Sequence, residues 1–235
     1  MTITELHQNF KIAADKVDSL NFPEFLPEEI DSLLNQSIEN FIHQRLYGNN
    51  PRKEGFEETQ KRFDDLLTLV NQQNYTVFFS GPSNKPNGVS VNYPTDYWHT
   101  IQEDVLIDYL DCNGQTQNKA ASVIPVTHER YNKVIKDPFN KPNENKVLRM
   151  GLLGFPELIA APNTTITTYN LRYIRKPAKV QFGSTYALTP PAPVDVQCDL
   201  PVHTHQEIIN IARSLALGII EKNTQEADKT IVTQE

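Results

Sequence analysis

The sequence is poor in the features that announce a membrane span, a disulfide framework or a nucleotide loop. No apolar run among its 235 residues approaches the roughly 20 residues of a helical membrane span, so no membrane association is expected. The start, Met1-Thr-Ile-Thr-Glu-Leu-His-Gln, lacks the basic and apolar regions of a secretory signal. There are two cysteines, Cys112 and Cys198, far apart and without companions, which predicts free thiols in a reducing cytoplasm. Basic residues are outnumbered: 22 Lys and Arg against 29 Asp and Glu leave a net charge of −7. That balance argues against sequence-independent nucleic-acid binding, which needs a stripe of cations on the phosphates. Nine glycines supply no phosphate cradle. Gly81-Pro-Ser-Asn-Lys-Pro-Asn-Gly88 lacks the closing Gly-Lys-Ser/Thr, and Gly151-Leu-Leu-Gly154 is too apolar and glycine-poor for a dinucleotide turn.

What is present is proline, sixteen residues of it, with a mean hydropathy of −0.49. Both suggest extended connections around a modest core. The first 70 residues read as helical. From Thr4 to about Leu20, Leu6, Phe10, Ala13, Ala14 and Val17 recur at spacings of three and four, and Asn21-Phe22-Pro23 ends the run. A second helix opens at Pro27 with Glu28, Glu29 and Asp31 at its positive end and Arg45 near the other. Its buried face is Ile30, Leu33, Leu34, Ile38, Phe41, Ile42 and Leu46. A third, about Gly55 to Val70, carries Phe56, Phe63, Leu66, Leu67 and Val70.

The middle reads as strands. Tyr75 to Ser80 is β-branched and aromatic, and a turn-rich stretch precedes the alternating Val89 to Tyr93. Residues 96–112 suit either a helix or a strand, and the alternation of Val105, Ile107 and Tyr109 favours a strand from about Gln102 to Cys112. Further strands are expected at 122–126, Lys146–Leu153, Leu158–Ala160 and Thr164–Arg175, with a short helix after an N-capping Thr127. Residues 137–143 form a rigid connector. Pro190, Pro191 and Pro193 keep 177–198 extended.

The last helix is expected from Thr204 to about Glu221. Thr204-His205-Gln206-Glu207 has the spacing of a capping box. Ile208, Ile211, Ala212, Leu215 and Ile219 then define an apolar face, widened by Ile209, Ala216 and Ile220, and the chain is expected to fray after Lys222. The reading is α+β: a helical bundle of N-terminal helices and C-terminal helix, with a mostly antiparallel β segment inserted. The expected divisions are residues 1–73 (helical), 74–199 (β-rich, with a proline-rich arm over 177–199) and 200–235 (closing helix and tail).

No catalytic constellation emerges. His203-Thr-His205-Gln-Glu207 is the one cluster shaped like a metal site, but it runs into a helix start, and His43, His99 and His128 share no spacing with it. Asp64-Asp65 and Glu103-Asp104 are paired acids, yet neighbouring side chains diverge on a helix or a strand. Cys112 near His99 has no supporting pattern for a nucleophile. Tyr93, Tyr97, Trp98, Tyr169 and Tyr173 could stack on sugars or bases, although strands favour aromatics for packing alone. Catalytic, cofactor and metal residues are therefore all expected to be none. Two alternatives stay open: a carbohydrate- or receptor-binding module carried by the aromatics, and a metal-dependent hydrolase using His203 and His205.

Three stretches carry a family likeness: Tyr173-Ile-Arg-Lys-Pro177, Cys198-Asp-Leu-Pro-Val-His-Thr-His-Gln-Glu-Ile-Ile209, and Thr127-His-Glu-Arg-Tyr-Asn-Lys-Val-Ile-Lys-Asp-Pro-Phe-Asn-Lys-Pro142. Together they resemble structural proteins of crAss-like tailed phages infecting Bacteroides-type hosts. The resemblance implies a non-enzymatic head–tail connector subunit of the podovirus adaptor type. Such a subunit would form a homo-oligomeric, twelve-fold ring in the neck of the virion, assembled in the host cytoplasm. Its implied partners are the portal protein, neighbouring neck and tail proteins, and genomic DNA passing without sequence-specific binding; no catalytic residue is carried over.

Overall fold

The computed structural model describes residues 1–15, 25–47, 60–76, 85–111, 113–152, 154–183 and 194–232, the last thirteen of these for their backbone alone. The chain is α+β and divides into two compact units, Met1–Leu69 with Pro177–Glu235, and Val70–Lys176.

The first unit holds α1 (Ile3–Asp15), α2 (Pro27–Leu46), α3 (Gln60–Leu66, continued by a 3-10 turn over Leu67–Leu69) and α5 (His205–Val232). A capping box starts α1: Glu5 N donates to Thr2 Oγ1 at 3.2 Å, and Thr2 N donates to Glu5 Oε2 at 2.8 Å. The expected end of that helix, 16–20, lies outside the described residues. In α2 the predicted stripe from Ile30 to Ile42 is buried, and only Leu46, at its end, is half-exposed. The third helix is shorter than expected. Its first residues fall outside those described, and Val70 already belongs to a strand because it pairs with Ile174.

Two expectations about α5 are corrected. The helix does not begin with a Thr204–Glu207 capping box. A 3-10 turn, Val202–Thr204, precedes it, the Thr204 hydroxyl donates to Pro201 O at 2.8 Å, and Glu207 takes a hydrogen bond from Arg45. The helix also continues past Lys222 to Val232. Its buried face is Ile208, Ile209, Ala212 and Ala216, whereas Ile211 and Leu215 are half-exposed and Ile219 is 48% exposed. The two alanines admit close approach by α1 and α2, the helices on which α5 packs.

The chain returns to this unit as an extended segment held by side chains of α2. Asn35 accepts from Val180 N at 2.8 Å and donates to Val180 O at 2.9 Å, and Phe182 N donates to Asp31 Oδ2 at 3.0 Å. Gln181 and Val196 pair through both backbone groups. The three prolines at 190, 191 and 193 lie outside the described residues.

The second unit is a seven-stranded sheet in the order β1-β7-β3-β4-β5-β6-β2. Its strands are β1 (Val70–Thr76), β2 (Gly88–Ser90), β3 (Tyr97–Leu110), β4 (Thr116–Pro125), β5 (Lys146–Leu152), β6 (Phe155–Ile159) and β7 (Thr164–Arg175), with α4 (His128–Lys136) between β4 and β5. All neighbours are antiparallel except β4 and β5, the pair that α4 connects. The strand expected at Tyr75–Ser80 lies further back, at 70–76, and residues 77–80 are outside those described. Asn71, Gln72, Gln73 and Asn74 offer no apolar alternation, yet they pair along β7 from an exposed edge where polar side chains stay wet. In the same way β4 begins six residues before its apolar part. β3 extends back to Tyr97 through bulges at Tyr97/His99 and Thr100/Gln102, which blur its period. Thr127 occupies the cap position of α4, but its side chain makes no capping hydrogen bond.

Cross-strand partners share a face. Val105 stands opposite both Tyr169 and Ala121, and Val123 opposite Val147. With Ile107, Leu158, Ile166, Leu171 and Tyr173 they form the main core of the sheet unit. On the opposite face of β5 and β6, Leu148, Met150 and Ile159 are covered by Tyr131 of α4.

Candidate functional site

The His203/His205 pair separates in the structure. His203 projects from the 3-10 turn with an exposed side chain, and its Nε2 lies 2.8 Å from Asp65 Oδ1. Asp65 is 1% exposed. Its second oxygen accepts from Arg45 Nε at 2.8 Å, while Arg45 Nη2 donates to Glu207 Oε2 at 2.6 Å. The guanidinium also lies over the Phe41 ring, 4.5 Å from its centre. Four residues from α2, α3, the turn and α5 thus form one clasp of hydrogen bonds and ion pairs. Asp65 is desolvated and answers to the Arg45 cation, as a buried acid requires, while Glu207 stays partly in water.

His205 points the other way, into the helical core. Its Nε2 is 3.0 Å from Leu200 O, and Nδ1 has no hydrogen-bond partner. A carbonyl only accepts, so Nε2 carries the proton and Nδ1 keeps a lone pair. Burial holds this imidazole below its ordinary pKa. The two histidines therefore do not converge on a common point, and among the described residues no group of three or more His, Cys, Asp or Glu could hold a metal ion. Cys198 is half-exposed by area, with its thiol pushed upward by desolvation, which disfavours the reactive thiolate. Cys112 lies outside the described residues.

The paired acids diverge as expected. Asp64 is exposed and accepts from Gln60, whereas Asp65 is buried in the clasp. Glu103 faces the sheet core, and Asp104 accepts from Gln102. Glu103 accepts from Tyr169 Oη at 2.6 Å and lies 3.2 Å from Arg149 Nε, an ion pair without aligned hydrogen-bond geometry. Arg149 Nη1 donates to Tyr93 Oη at 3.2 Å. Desolvation raises the Glu103 carboxyl, opposed by the Tyr169 hydroxyl and the Arg149 charge. It also raises Tyr93 and Tyr75 to about 12.

The structure does bring the strand tyrosines together, but as packing. Tyr93 and Tyr97 stack with centres 4.0 Å apart, Tyr97 meets Tyr173 at 5.9 Å, and Tyr75 lies over Tyr169 at 6.0 Å. Tyr169 and Tyr173 are buried in the core of the sheet. Trp98 stacks on His99 instead. His43 stacks on Tyr47, and His128 Nε2 lies 2.9 Å from Gly151 O. Sequence reasoning passed over Arg45 and Arg149, the two cations that organise the buried acids. Their signal was partial: Arg45 was legible as a helix-end charge, but its carboxylate partners stand 20 and 162 residues away.

A groove opens between α4 and the ends of β4 and β5. It encloses about 410 Å³ and is floored by Ile124, Val126, Val134 and Leu148, with Arg130 and Lys133 on its rim. Beside it, Phe139 stands 87% exposed. Its loop is braced: Asp137 accepts from Phe139 N at 3.0 Å and from Asn140 Nδ2 at 2.5 Å, and Lys146 Nζ donates to Phe139 O. These hydrogen bonds hold Asp137 below the usual carboxylate range, the Phe139 amide first among them. Phe139 and the groove beside it are surface features of a kind that can meet another protein.

Comparison with known proteins agrees with that reading. The family model for phage tail ring protein 3/4 matches residues 1–230. The protein named Ring protein 4/5 of Bacteroides phage crAss001 is 24% identical over 237 residues, an alignment covering 96% of each chain. The likeness noted in the three sequence stretches thus extends over nearly the whole chain.

Proposed function

The chain belongs to the phage tail ring protein 3/4 family, and from that premise we propose that it forms a ring in the neck of a tailed phage, as a head–tail connector between portal and tail. The observation that carries this reading is the family match from residue 1 to 230, which takes in both units. The subunit is a structural component of the virion, and its work is to hold neighbours.

Two physical features support the placement. A net charge of −7 suits a ring around a DNA channel, where an acidic wall repels the duplex and lets it slide. The clasp and the Glu103–Arg149 pair fix each unit internally, so the surface presented to neighbours is preorganised. Twelve copies would match the portal in an adaptor of the podovirus type.

The test is electron microscopy and native mass measurement of the purified protein, alone and mixed with its portal protein. Rings of twelve subunits, or portals decorated at one end, are the expected result. Rings that never touch portal would move the subunit to another level of the tail. A chain that stays monomeric in both samples would remove the connector reading.

A further inference from the structure

Two patches of opposite character stand at the two ends of the β3–β4 hairpin. At the turn end, Leu110 pairs with Thr116 and is 58% exposed, with Asp108 and Asp111 beside it in sequence. Asp111 is held below the usual carboxylate range by the amides of Gln115 and Asn113, so its charge is fixed. At the other end, Ile124 lies two residues beyond the Asp104–Ser122 pair. Along β4, from Thr116 to Ile124, that separation is eight residues, roughly 27 Å at a strand's rise per residue. There the groove of Ile124, Val126, Val134 and Leu148 is rimmed by Arg130 and Lys133. The lining also holds one acid, Asp137, charged like Asp111 and held by its own loop as Asp111 is by its turn, so Arg130 and Lys133 leave the groove a net charge of +1.

The charge distribution says which surface fits the groove. Between His128 and Lys146 the chain has five basic and three acidic residues, while the remainder has seventeen and twenty-six. Copies of an acidic chain repel one another unless a basic patch meets an acidic one. The turn end of the hairpin offers that match: an exposed apolar side chain flanked by carboxylates.

We propose that the turn end of one copy's β3–β4 hairpin seats in the α4 groove of the next copy. Leu110 enters between Ile124, Val134 and Leu148, and the carboxylates of Asp108 and Asp111 meet Arg130 and Lys133. Phe139 forms the lip over the seated hairpin. The two patches differ, so the contact is heterologous and repeats head to tail, the arrangement that closes into a ring when the rotation between neighbours closes. The proposal rests on the ring reading above and names the surfaces that would build it.

Sedimentation velocity on three forms of the full chain tests it: wild type, a tip variant (D108K/L110S) and a groove variant (R130E/K133E), with circular dichroism to check the fold of each. Each variant alone is expected to lose the oligomer, its apparent association constant falling at least tenfold. An equimolar mixture should give at least a heterodimer, because each mixed pair retains one intact tip and one intact groove. A single chain carrying both D108K and K133E should regain assembly. Either double variant assembling like wild type would overturn this contact and leave the ring reading standing. A mixture without heterodimer, or no recovery in the charge-swapped chain, would overturn the head-to-tail pairing. A wild-type chain that stays monomeric at the highest attainable concentration would sink both.

Discussion

His203 Nε2 lies 2.8 Å from Asp65 Oδ1, joining the turn before the last helix to the third helix across 138 residues of sequence. Asp65 carries the clasp, because its other oxygen holds Arg45.

Asp65→Ala should therefore destabilise the helical unit more than the loss of His203 does. Removing a buried carboxylate leaves the Arg45 guanidinium, itself poorly exposed, with only Glu207. Breaking one side of such a pair costs about 3 kcal/mol or more. His203 is largely in water, so His203→Ala should cost about 1 kcal/mol or less. Urea unfolding followed by far-UV circular dichroism at 222 nm would measure both, and equal losses would show that Asp65 is not the hub.

His205 gives the helical unit a pH dependence of definite sign. Burial lowers its pKa from 6.5, so in mild acid the unfolded chain takes the proton first. The stability it contributes is complete above about pH 6.5 and is lost as pH falls toward the folded value, at no more than about 1.4 kcal/mol per pH unit. His205→Gln retains a donor for Leu200 O and removes the titration. Urea midpoints at pH 7.5, 6.5 and 5.5 should fall less for the variant than for wild type. Parallel declines would assign the acid sensitivity elsewhere.

The sheet unit has its own buried pair. Glu103→Leu leaves Arg149 facing Tyr93 and Tyr169 without a carboxylate, and Arg149→Met leaves Glu103 with the Tyr169 hydroxyl alone. Each should cost about 2–4 kcal/mol, and the double variant less than the sum, because the second change removes an already orphaned charge. The chain's one tryptophan, Trp98, lies in this unit, so its fluorescence reports the transition directly. Additive losses would mean that the two groups do not interact.

The helices and the sheet were legible in the sequence to different depths, for identifiable reasons. In α2 a sustained spacing of three and four marks a face buried on one side, and the structure buries it. The polar edge strand β1 and the first half of β4 carry no apolar period, because their pairing rests on backbone hydrogen bonds and their side chains stay in water. The capping-box pattern at Thr204 was misleading. Arg45, far away in sequence, binds the very carboxylate that would have capped the helix. The true box, Thr2 with Glu5, has the same spacing at the start of α1. Of the α4 groove, the sequence reveals only a rigid connector around Phe139, since its walls come from elements that meet only when β5 pairs parallel to β4.

The last helix tests how far periodicity can be trusted. Its apolar residues cover more than half a turn, and the sequence alone weights Leu215 and Ile219 equally with Ile208. The structure divides them: Ile208 is fully buried beside Ile209 and Ala212, Leu215 is half-exposed, and Ile219 is largely in solvent. Ile208→Ala should cost about 2–4 kcal/mol through lost burial and the cavity left behind. Ile219→Ser should change stability by less than about 0.5 kcal/mol, as surface substitutions do. If Ile219→Ser proves folded and equally stable but assembles less well, the outer stripe of Ile211, Leu215 and Ile219 serves a neighbouring subunit. If instead it destabilises the isolated chain as much as Ile208→Ala does, α5 is packed on a face that this structure leaves open.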